Sequence, residues 1–135
     1  MYADLLTAVQ AMLVATGVFP SVICGVGAPK SGYPAVNLWL QESVDAGGKT
    51  DPLEDEQLLV QVQSYSGEEK EESYLELMGL VATAKRALNG ARLPGHGAQQ
   101  LKVPKFEVMR LPDNGPMVYV LRVGVRVSPS SFTTT

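Results

Sequence analysis

The sequence predicts an α+β fold in the order α-β-β-α-β-β, a mostly antiparallel sheet packed against two helices. Three observations carry this prediction: apolar residues recur every three or four positions in two stretches, they alternate every second position in four others, and glycine- and proline-rich segments separate the stretches. Residues 1–127 read as a single domain and residues 128–135 as a polar C-terminal tail.

The first helix is expected over Ala3 to Thr16, where Leu5, Leu6, Val9, Met12 and Leu13 keep helical spacing and Gly17 supplies a stop. This apolar start carries Asp4 and no basic leader, so it reads as a packed helix rather than a signal segment. Pro20 ends regular structure, and Cys24 to Pro34 is predicted to be a long loop. Ala35 to Ser43 is the first strand, with Val36, Leu38 and Leu40 on one face. Trp39 lies on the more polar face, which means either that a second element covers that face or that Trp39 anchors an interface.

Val44 to Glu56 reads as a polar, acidic loop, and Gln57 to Tyr65 as the second strand of an antiparallel hairpin with an acidic tip. Ser66-Gly67-Glu68-Glu69 has the form of a capping box opening the second helix. Tyr74, Leu77, Val81, Ala84 and Leu88 form its core stripe, and Lys85, Arg86 and then Gly90 mark its end. Leu101 to Leu111 is expected to be a bent strand broken at Pro104. After the turn chemistry of Pro112 to Pro116, Met117 to Val127 alternates, with Leu121, Val123 and Val125 opposed to Arg122, Gly124 and Arg126.

Charge divides along the chain. Residues 42 to 76 hold Glu42, Asp45, Asp51, Glu54, Asp55, Glu56 and five further acids against Lys49 and Lys70. Residues 85 to 126 hold Lys85, Arg86, Arg92, Lys102, Lys105, Arg110, Arg122 and Arg126 against two acids. One copy thus offers an acidic region to another copy's basic region, an arrangement suited to a heterologous contact. The net charge of −3 disfavours a dedicated nucleic-acid binder. One cysteine, Cys24, precludes an internal disulfide and fits a reducing compartment.

Catalytic constellations are sparse. His96 is the only histidine and sits between Gly95 and Gly97, so it reads as a loop residue, and triads or metal sites needing two imidazoles are excluded. Cys24 lacks a CxxC partner and reads as a small buried hydrophobe. The Gly25 to Gly32 run departs from the phosphate-loop pattern because Pro29 precedes Lys30 and a strand follows. Asp45, Asp51, Glu54, Asp55 and Glu56 lack the order of a calcium loop, so no metal and no cofactor is expected.

The helix, the acidic-tipped hairpin, the capped helix, the basic closing hairpin and the Ser/Thr tail together resemble the tail terminator (tail completion) proteins of long-tailed bacteriophages, of the lambda-type and Mu-like groups. The likeness spans nearly the whole chain and rests on element order and length. It implies a non-enzymatic subunit of a hexameric ring that caps the tail tube, ends its elongation and presents a surface to the neck or connector. A sheath is a further possible contact. The resemblance also implies assembly in the host cytoplasm into a virion whose DNA passes through the ring lumen unbound, with no membrane contact.

On that likeness Asp45 to Glu56 corresponds to the long loop after the first strand, and Met117 to Val127 to the closing strand near the ring interface. The candidate interface or lumen residues are therefore Asp45, Asp51, Glu54, Asp55, Glu56, Arg122 and Arg126. Gly25 to Pro34 and Leu93 to Pro104 depart from the family's pattern. Three alternatives stay open: another neck or head-completion protein such as a connector or stopper, a small-molecule enzyme using the Gly25 to Lys30 loop with His96, and a bacterial binding module outside phage biology.

Overall fold

Burial of the alternating apolar positions dictates the architecture. In a computed structural model, Val36, Leu38, Leu58, Val60, Val62, Leu121, Val123 and Val125 all turn to one face of a sheet, where they meet Leu5, Val9 and Leu13 from one helix and Leu77, Val81, Ala84 and Leu88 from another. The structure describes residues 2–25, 34–45, 54–63, 71–93, 100–110 and 117–127. Its elements are α1 (Tyr2–Val14), β1 (Ser21–Cys24), β2 (Ala35–Asp45), β3 (Glu54–Gln63), α2 (Glu71–Leu88), β4 (Lys102–Arg110) and β5 (Met117–Val127). The five-stranded sheet has the order β1-β2-β3-β5-β4, parallel at β1/β2 and antiparallel elsewhere.

The α+β expectation holds, with one strand added. β1 falls where regular structure was expected to end at Pro20. At four residues it is too short to show an alternation of its own, and its parallel pairing, Ser21 to Ala35 through Cys24 to Leu38, comes from β2. Gly25 closes it in a left-handed backbone (φ 97°), donating its N–H to the Leu38 carbonyl at 2.7 Å and accepting from Asn37 Nδ2 at 3.0 Å.

The β2/β3 hairpin reaches further toward its acidic end than expected. Pairing continues to Asp45 opposite Glu54, so Glu54, Asp55 and Glu56 belong to a strand and not to a loop. A bulge between Leu40 and Glu42 resets the phase of β2, turning Glu42 outward and placing Ser43 beside Glu56 on the helix side. The outcome is a buried carboxylate: Glu56 is 1% exposed and accepts a 2.8 Å hydrogen bond from the Ser43 hydroxyl. The Tyr2 hydroxyl lies 3.3 Å from Ser43 Oγ, which ties the start of α1 to both strands.

In α2 the stripe Leu77, Val81, Ala84 and Leu88 is buried as predicted, whereas Tyr74 is 43% exposed and outside the core. The proposed capping box, Ser66 to Glu69, lies outside the described residues. Gly90 ends the helix in a left-handed backbone (φ 81°), and Asn89 Oδ1 accepts from the Val103 N–H at 3.0 Å, fixing the start of β4 against the helix end. β4 is not broken at Pro104. It is an edge strand, where a missing donor costs little, and a register shift between Lys102 and Lys105 absorbs the proline. β5 spans the predicted Met117–Val127 and occupies the interior of the sheet between β3 and β4.

Candidate assembly surface

Both helices pack on the core face, so the opposite face of the sheet is left without a helix among the described residues. Reading the ladders across β2, β3, β5 and β4 gives its rows. Trp39 lies opposite Leu59, which lies opposite Arg122 and then Lys105. The next row is Glu42, Gln57, Gly124 and Lys102. The last is Val44, Asp55 and Arg126. Leu59 and Val120 on this face are nearly closed off from water, Trp39 is half-buried, and Val44 is exposed.

Opposed strands make ion pairs within the chain. Asp55 and Arg126 face each other in register, and the guanidinium grips the carboxylate with both arms, Nε to Oδ1 at 2.7 Å and Nη2 to Oδ2 at 3.1 Å. The Arg126 hydrogen bond, together with the Arg126 charge, holds the Asp55 carboxyl below the usual carboxylate range against an opposing desolvation. Arg122 bonds through Nε to Glu107 and through Nη1 to Gln41 Oε1 at 3.0 Å, joining β5 to both β4 and β2. The Arg122 hydrogen bond, followed by the charges of Arg122 and Lys105, likewise lowers the Glu107 carboxyl.

The sequence-predicted site residues therefore separate. Asp55 and Arg126 form a pair, Arg122 is held by Glu107 and Gln41, and Glu56 is buried on the other face. Asp45 and Glu54 close the hairpin ladder opposite each other, and Asp51 lies outside the described residues. The division of charge along the sequence is thus partly consumed by β3–β5 and β4–β5 pairing inside one chain. Sequence reasoning missed Gln41 and Glu107 as partners of Arg122, because nothing in the sequence states that β5 lies between β3 and β4.

An open cleft of about 920 Å³ at the acidic end of the sheet is lined by Glu42, Gln57, Gly124, Lys102 and the Asp55–Arg126 pair from the open face, and also by Glu56, Val125, Arg92 and Gln100. Gly124 has no positive φ, and a Cβ added there would meet nothing within 4 Å.

Chemistry is thin among the described residues. No group of three or more His, Cys, Asp or Glu side chains is placed to hold a metal ion. Cys24, expected to be buried, is exposed on the edge strand β1, and partial desolvation pushes its thiol pKa up, away from nucleophilic thiolate. His96 and most of the Gly25 to Lys30 run lie outside the described residues. No described helix is long and apolar enough to cross a membrane.

No protein-family model matches the chain, and no curated protein matches it. Among solved structures it is similar to a chain from the virion of a native gene transfer agent particle, at 21% identity over 92% of this chain and 94% of that chain, with a TM-score of 0.69. At that identity the likeness shows a shared fold over almost the full length of both chains.

Proposed function

We propose that this chain is a structural protein of a phage-like virion, and that it acts as a tail terminator: a ring of copies that caps the tail tube, stops its elongation and joins the tail to the neck. The observation that carries this reading is the fold shared end to end with a virion chain. A sheet face that no described helix covers, bearing a half-buried Trp39, supports it, since such a face suits a second subunit. The ring does its work by binding, without turnover.

The decisive assay polymerises purified tail-tube protein with and without this chain and measures tube lengths by electron microscopy. A shortened, narrow length distribution with a cap at one tube end is the expected result. Unchanged tubes together with binding to a purified connector would move the assignment to another neck protein.

A further inference from the structure

Two glycines sit where the chain itself has no use for them. Gly124 lies inside β5 and Gly79 inside α2, positions where glycine weakens the element it belongs to. Neither has a positive φ, and a Cβ at either site would meet nothing within 4 Å. Internal crowding and backbone conformation are therefore excluded as reasons. The β4 bulge opposite Gly124 is carried by Val103 and Pro104, not by β5, whose register with β3 is unbroken. Close approach of another backbone from outside is a use that both positions allow.

The surroundings of the two glycines are complementary. Gly124 lines the cleft, with Glu42 at the β2 end of its row and Lys102 at the β4 end. Three strand spacings separate those ends, about 14 Å. On α2 the exposed face centred on Gly79 runs from Leu75 and Glu76 through Ala82 to Arg86. Glu76 and Arg86 stand about 15 Å apart along the helix axis. Among the described residues none of these four charged side chains has an ion-pair partner, unlike Asp55, Glu107, Arg122 and Arg126.

We propose that the Gly79 face of α2 in one copy seats across the Gly124 trough of a second copy, with Arg86 against Glu42 and Glu76 against Lys102. This rests on the ring reading and specifies its contact. Helix face meets sheet face, so the contact is heterologous and repeats head to tail, the type that generates a ring when the rotation closes. Small residue over small residue lets helix and sheet approach without a displaced side chain.

The test is sedimentation velocity on the full chain and its variants, with thermal melts alongside. Gly79→Leu and Gly124→Leu each place a side chain in open space and keep or raise the melting temperature, yet each weakens self-association at least about tenfold, equivalent to 1.4 kcal/mol. Each variant keeps one intact half of the contact, so an equimolar mixture of the two forms a 1:1 pair and nothing larger. Glu42→Arg and Arg86→Glu, both at exposed positions, each disrupt assembly alone and restore it together. Wild-type assembly with unaffected glycine variants, or a double charge exchange that fails to recover, overturns this contact and leaves the ring reading standing. A wild-type chain that stays monomeric even with tail tube overturns the ring reading and the contact with it.

Discussion

Asp55 and Arg126 show how one residue's environment turns into a measurable pH response. The folded Asp55 carboxyl titrates below its unfolded value, so the pair's contribution is complete above about pH 4, the ordinary aspartate pKa, and is lost as pH falls through the lowered folded value. Glu107 follows the same sign through Arg122. Both carboxylates are at the surface, so the effect is small and salt-sensitive. Thermal melts of Asp55→Asn are expected to show a flatter acid limb than wild type below about pH 4, with the two converging at high salt. Glu56 is a different case because it is buried with Ser43 as a donor. Urea unfolding is expected to register a loss of about 1–3 kcal/mol for Glu56→Ala and less for Glu56→Gln, which keeps an oxygen acceptor for Ser43. Cys24, with its thiol pKa raised, is expected to alkylate more slowly at neutral pH than an unhindered thiol such as free glutathione, despite its exposure.

At the scale of elements, stability concentrates where α2 packs on β3 and β5 and α1 packs on β1 and β2. Leu58 is fully buried in that core. Leu58→Ala is expected to cost about 2–5 kcal/mol in chemical unfolding, whereas Leu75→Ala on the exposed side of α2 costs well under 1 kcal/mol, or roughly the helix-propensity difference. The long elements were legible because their period was: β5 matched its predicted limits, and the buried stripe of α2 was right except at Tyr74. Two features were not legible for physical reasons. β1 is four residues long and is defined by its partner, and the bulge after Leu40 inverts the inside-outside phase of β2, so a plain alternation misassigns Glu42 and Ser43.

For the whole molecule, what matters is which surfaces remain unsatisfied once the chain has folded. The charge division along the sequence pointed to Asp55, Arg122 and Arg126 as interface or lumen residues. Only the strand order shows that these pair internally, and that Glu42, Lys102, Glu76 and Arg86 belong to the charges left without ion pairs among the described residues. Strand order is a non-local property, set by which apolar faces pack best together, and no local spacing encodes it. The central claim is that this fold exists to assemble with its own copies at the end of a tail tube. Sedimentation velocity of the purified full chain, alone and with tail-tube protein, tests it most directly. A discrete ring species near six times the 14.5 kDa chain mass, bound at tube ends, is the predicted result, and a 14.5 kDa monomer at tens of micromolar under both conditions would contradict it.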